Sequence, residues 1–163
     1  RSITGDARLK LEQELLAGEP QIFDVLVLDA FSGDAVPVHL LTHEAFRIYR
    51  KHLAEDGMIA IHISSRFFDL SPLIERQAID ADFIPLKYET EAGRDGVTSK
   101  SVWMLLLPDE HMKKHYAGLQ SPDPETGLSS GIPSWTDDYS NPLQLVVVDD
   151  ALPFFHLYGK RGD

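Results

Sequence analysis

Ile22-Phe23-Asp24-Val25-Leu26-Val27-Leu28 runs straight into Asp29-Ala30-Phe31-Ser32-Gly33-Asp34, and this junction decides the fold. The first part is a short, β-branched, almost unbroken apolar run. It predicts a strand buried on both faces of a parallel sheet. The second part is polar and turn-forming, so the chain leaves the sheet at Asp29. A helix is expected next. Thr42 is placed to cap it, Glu44 falls in its first turn, and Ala45, Phe46, Tyr49 and Leu53 recur at helical spacing. Gly57 is expected to end that helix from a left-handed position.

Further along the chain the same alternation continues. Residues 58–63 read as a strand. Asp69 or Ser71 can cap a helix to about Asp80, with Pro72 in its first turn. Residues 83–88 and 101–107 read as strands joined across the polar loop 91–99, an arrangement that suits an antiparallel pair. Pro108-Asp109-Glu110 starts a short helix to about Leu119, and 121–133 is a Ser-, Pro- and Gly-rich loop. Residues 143–148 form a last apolar stretch of strand length. Upstream, Gly5-Asp6-Ala7-Arg8 precedes a helical pattern that ends at Gly18, with Asp6 as its cap or as a ligand-binding acid. The order β-α-β-α-β-β predicts an α/β sheet with helices on its faces. Residues 1–120 would form its body, and 121–163 a loop and strand extension of the same domain.

Composition narrows the function. The 163 residues are 43% hydrophobic and 25% charged, as in ordinary globular proteins. A net charge of -11 argues against nucleic-acid binding, which needs clustered Lys and Arg. No apolar run approaches the length of about 18 residues that marks a spanning helix. There is no cysteine, so disulfides and thiolate metal sites are excluded. His39 with His43, and His111 with His115, have the i, i+4 spacing that can chelate a metal. Neither carries the Glu of a zincin motif, and no metal is expected. No dinucleotide, P-loop or nucleophile-elbow motif occurs.

Open parallel sheets bind ligands beyond the carboxyl ends of their strands. Asp29 stands at such an end. The segment from Asp29 to Pro37 gathers Asp29, Asp34, Ser32 and an aromatic ring into one turn region. Paired acids there can hold an amine and take its proton, although Asp29 reads equally as a turn residue. His62 lies within an apolar strand, as a hydrogen-bonded core or pocket-rim residue. Trp135-Thr136-Asp137-Asp138-Tyr139 is a second polar-aromatic cluster, either a pocket wall or a surface loop.

Residues 23–34, 36–42 and 57–64, together with the Trp135-Thr136-Asp137-Asp138-Tyr139-Ser140-Asn141 segment, resemble the spermidine synthase-like family. The resemblance implies a Rossmann-like, class I methyltransferase fold with a mostly parallel sheet and a C-terminal antiparallel pair. It implies transfer of an aminopropyl group from decarboxylated S-adenosylmethionine to a putrescine-like amine. By position, Asp29 matches the family's acid that orients and deprotonates the amine. Asp6 and Ala7 match the pair that contacts the adenine. Ser32, Asp34, His62, Asp137 and Asp138 fall where the acceptor would be held.

The chain also departs from the pattern. Family members that make polyamines carry Asp-Ser-x-Asp, whereas Ser32 holds the second acid's place here and Asp34 follows. The Leu28-Asp29-Ala30-Phe31 form resembles a divergent branch often joined to membrane-spanning helices. That implies a site in the cytoplasm or on the cytoplasmic side of a membrane. The Gly-rich first loop and ribose-binding acid of the family do not occur in residues 1–163, so the N-terminal half of the donor site is missing from them. Residues 22–28 would then form an apolar edge, covered by a preceding segment or by self-association into a homo-oligomer. By themselves these residues are expected to be inactive. The alternatives are an S-adenosylmethionine-dependent small-molecule methyltransferase and a degenerate, non-catalytic binding domain.

Overall fold

The computed structural model describes residues 3–29, 36–65, 67–90, 101–116, 118 and 131–147. In chain order they form α1 (Ala7–Leu16), β1 (Phe23–Leu28), α2 (His43–Lys51), β2 (Leu53–His62), α3 (Ser71–Asp80), β3 (Ile84–Thr90), β4 (Ser101–Leu107) and α4 (Glu110–Tyr116). Single 3-10 turns lie at Val38–Leu40 and Pro142–Leu145.

The four strands make one sheet in the order β1-β2-β4-β3. β1 and β2 are parallel, and β4 runs antiparallel to both β2 and β3. The antiparallel β3–β4 pair is the one expected. Because β4 returns between β2 and β3, parallel pairing is confined to β1–β2 among the described residues.

Register assigns the two faces. Leu26 pairs with Ile59 and Leu28 with Ile61, while Ile59 and Ile61 pair onward with Leu106 and Met104. These residues join the core with Phe46 and Tyr49 of α2 and Leu73 and Ile74 of α3. Burying a side chain of this size contributes about 1.5–3 kcal/mol. The opposite face carries Val25, Val27, Met58, Ala60, His62 and Trp103, following the period of two. Val25 is 44% exposed and Val27 54% exposed. β1 is therefore covered on one face among the described residues, not on both. A continuous apolar run reports which side chains tolerate burial, not how many layers lie against them.

Local chemistry explains the element ends. Thr42 Oγ1 accepts from the Ala45 amide, and Glu44 and the Arg50-Lys51 pair complement the α2 dipole at its two ends. Asp6 Oδ1 caps α1 at Leu9, and Gly18 takes a positive φ of 76° just beyond that helix. Asp69 Oδ1 accepts from Ser71 at the start of α3.

Gly57 does not end α2. That helix stops at Lys51, and Gly57 lies inside β2. The register jumps from Phe23↔Leu53 to Val25↔Met58, so residues 54–57 bulge out of the ladder. A Cβ at Gly57 would lie 2.6 Å from the Phe23 carbonyl oxygen and 3.0 Å from the Ala54 nitrogen. The close approach of two backbones, not a helix cap, requires glycine here. Gly57→Ala should cost about 1–3 kcal/mol, the scale of overpacking, in a denaturant melt. An unchanged midpoint would show that the bulge relaxes freely.

The apolar stretch at 143–148 is also not a strand where it is described. Pro142 opens a 3-10 turn, Leu145 is buried, and Val146 makes one isolated bridge to Phe68. Proline lacks the amide a ladder needs.

Candidate active site

The parallel pairing of Leu28 with Ile61 brings the carboxyl ends of β1 and β2 side by side. Asp29, the first residue beyond β1, meets His62, the last of β2, with Oδ1 2.7 Å from Nδ1. The other ring nitrogen lies 2.8 Å from Ser64 Oγ and 3.4 Å from Ser101 Oγ. The Val102 amide donates to Ser64 Oγ at 2.8 Å, and Trp103 Nε1 donates to Ser101 Oγ at 2.9 Å. The Trp103 ring stacks on the imidazole with centroids 4.8 Å apart. Asp29 is exposed, and its Oδ2 has no hydrogen-bond partner among the described residues. The outcome is an exposed carboxylate held through one of its oxygens by the imidazole.

A second cluster joins α1 to the Trp135–Tyr139 turn. Arg8, the buried residue of α1, reaches Asp137 with Nη1 and Nη2, at 2.6 and 2.5 Å. Arg8 Nη1 also donates to the His39 carbonyl and to Thr42 Oγ1. Thr42 Oγ1 in turn donates to Asp137 Oδ1 at 2.8 Å. The paired guanidinium is the chief cause holding the Asp137 carboxyl below its ordinary 3.8, and the carboxylate raises Arg8. Asp137 and Asp138 sit at the tip of a tight turn closed by Thr136 and Tyr139. Both are exposed residues, and Asp137 points to Arg8.

Asp6 uses both oxygens within the protein. Oδ1 caps α1, and Oδ2 lies 2.7 Å from His39 Nε2. The Leu9 amide lowers its pKa most, against some desolvation, and His39 adds to the lowering. Ala7 follows as the exposed first residue of α1. Arg8, Val36, Pro37, His39, Thr42 and Asp137 border an open cleft of about 510 Å³. Two of its walls are thus an ion pair and a proline turn.

Asp29 and His62 are therefore brought together, as are Arg8, Thr42 and Asp137. Ser32 and Asp34 lie outside the described residues. Among the described residues, no group of three or more His, Asp or Glu side chains is arranged to hold a metal. Nor is any helix there long and apolar enough to cross a membrane. Arg8, Ser64, Ser101 and Trp103 escaped the sequence reading. A signal existed for Arg8, which shares a helical phase with Leu11 and Leu15. A cation on the inward phase needs an acid partner.

No family model matches the chain. A polyamine aminopropyltransferase of Vibrio vulnificus is 30% identical over 98 residues, which are 59% of this chain and 32% of that protein. An N-terminal histidine N-methyltransferase of Emericella nidulans is 31% identical over 90 residues, 55% of this chain and 16% of that one. The chain thus spans a third or less of the curated relatives it matches. Among solved structures, the spermidine synthase of Thermotoga maritima superposes with a TM-score of 0.50 at 16% identity. That match covers 94% of this chain and 47% of the other, and it shows the fold. Over part of their length the chain is similar to a polyamine aminopropyltransferase and to a histidine N-methyltransferase, and its α/β fold is the one seen in the spermidine synthase of Thermotoga maritima.

Proposed function

We propose that this chain forms the acceptor side of a transferase that moves an aminopropyl group from decarboxylated S-adenosylmethionine to a small, putrescine-like amine. The observation that carries the reading is Asp29, an exposed acid held through one oxygen by His62 at the carboxyl end of β1, its second oxygen without a partner among the described residues. An ammonium has no lone pair, so it must lose a proton before it attacks. Asp29 would hold that cation and take the proton. The amine nitrogen then bonds to the carbon beside the sulfonium, and the carbon–sulfur bond breaks with its electron pair left on sulfur. Methylthioadenosine departs, the new secondary amine is cationic, and one proton leaves to water for each turnover.

Asp6 and Ala7 would contact the adenine, a reading supported by the bond from Asp6 to His39, which borders the cleft. Asp6 Oδ2 would exchange His39 for the exocyclic amine. Asp138, Ser32 and Asp34 remain candidates for the acceptor's far end. Asp137 is committed to Arg8 and acts as a wall of the cleft. A preceding segment or self-association into a homo-oligomer would cover β1, which lies at the edge of the sheet, and a membrane-spanning region could precede it in the parent protein. The reaction would run in the cytoplasm or at its membrane face.

A second reading, methyl transfer from S-adenosylmethionine itself, is favoured by the local match to a histidine N-methyltransferase. The two differ at the donor's carboxylate and share the adenine contact. Asp6→Asn tests that contact, because asparagine still caps α1 but replaces one acceptor oxygen with a donor. Titration calorimetry of the full-length protein should show methylthioadenosine binding about tenfold or more weaker, the scale of a hydrogen bond to a charged group. Equal affinity would remove Asp6 from the nucleoside site.

A further inference from the structure

We propose that His62 is the positioning residue of Asp29, acting through a one-way chain of hydrogen bonds that begins on β4. This rests on Asp29 being the amine's proton acceptor. The direction is set at the Asp29 carboxylate, which can only accept, and the serine hydroxyls are able to follow it. The Val102 amide donates to Ser64 Oγ, and the Trp103 indole donates to Ser101 Oγ. Each hydroxyl oxygen accepts one hydrogen there and keeps its own hydrogen, so it can give to a ring nitrogen that carries none. Both oxygens lie against His62 Nε2, at 2.8 and 3.4 Å. A neutral ring that accepts at Nε2 carries its hydrogen on Nδ1. Nδ1 then donates to Asp29 Oδ1 at 2.7 Å.

The reverse tautomer would set a nitrogen lone pair against a carboxylate oxygen at that distance, with no hydrogen between them. Nor can the ring turn over freely, since Trp103 is stacked on one of its faces. The consequence is specific to one oxygen of Asp29. Oδ1 is occupied, so Oδ2 is presented in a fixed orientation to whatever cation enters. Residues from three strand ends are needed for this, which is why no single sequence motif displays it.

The test has an arm that needs no turnover. In a long-range proton–nitrogen correlation spectrum of the full-length protein labelled at histidine nitrogens, neutral His62 should be protonated on Nδ1. Asp29→Ala should move that proton to Nε2. A wild-type ring protonated on Nε2, or one indifferent to Asp29→Ala, overturns the proposal. The second arm measures amine transfer. His62→Leu should lower kcat roughly ten- to a hundredfold, the scale on which orienting partners act. Its affinity for methylthioadenosine should be unchanged. His62→Asn, whose amide nitrogen falls near the Nδ1 position, should recover most of the rate. Asp29→Asn combined with His62→Leu should be no slower than Asp29→Asn alone, since both act at one group. A wild-type kcat in His62→Leu, or additive losses in the double variant, would contradict the assignment. If the wild-type protein transfers no aminopropyl group, the function fails while the tautomer result still decides the geometry.

Discussion

Asp29→Asn should lower amine-dependent turnover by roughly 10²- to 10⁴-fold, the range a general base supplies. The change is nearly isosteric. The asparagine carbonyl oxygen can still accept from His62 Nδ1, so the contact between the ends of β1 and β2 survives. What is lost is an oxygen that can take a proton and the charge that holds an ammonium. The residue is exposed, so thermal stability should stay within about 0.5 kcal/mol of the parent, as for surface substitutions elsewhere. The check is methylthioadenosine release in a single-turnover assay beside a thermal melt. Undiminished release with a normal melt would exclude Asp29 as the base.

The largest expected effect on stability lies away from that site, at Gln77 of α3. This side chain is wholly buried. Its Nε2 donates to the carbonyls of Leu41 and Trp135, both at 2.8 Å, and its Oε1 accepts from Ser134 at 2.6 Å. One amide therefore ties the Ser134–Trp135 backbone to the entry of α2. Gln77→Leu keeps the volume and removes all three bonds. The Trp135 carbonyl retains the His43 amide, but the Leu41 carbonyl and Ser134 hydroxyl lose their partner. At about 1–3 kcal/mol for each stranded buried group, the cost should be about 2–4 kcal/mol, or a fall of about 10 °C in Tm. The Arg8–Asp137 pair should loosen with it, because Asp137 is carried two residues beyond Trp135. A Tm within 2 °C or so of the parent would show that water replaces the amide at little cost.

How far the sequence revealed this arrangement depended on range. Thr42, Asp6 and the Pro72 helix start were legible because caps act over three or four residues. The β3–β4 pair was legible because two β-rich runs flank one loop. Gly57 misled, since a glycine after a helical pattern resembles a stop. Its actual constraint, the Phe23 carbonyl, is 34 positions away in the chain. The exposure of Val25 and Val27 was hidden for the same reason, because the missing layer is a property of what packs there. At the site, Asp29 was legible as the acid at a strand end. The role of Asp137 was not, because its partner Arg8 lies 129 positions upstream. His62 was seen as a pocket-rim residue, but its Ser64, Ser101 and Trp103 supports come together only once β4 has inserted beside β2.

In the proposed reaction Asp29 serves an amine attacking an adenosyl-sulfonium donor. The most direct measurement offers the full-length protein decarboxylated S-adenosylmethionine and S-adenosylmethionine in parallel, each with a diamine, and quantifies both nucleoside products by mass spectrometry. Methylthioadenosine should appear only with the decarboxylated donor, in equal amount with an aminopropylated amine, and should disappear in Asp29→Asn. S-adenosylhomocysteine formed from the ordinary donor, with no aminopropylated product from the other, would contradict the account and assign the site to methyl transfer.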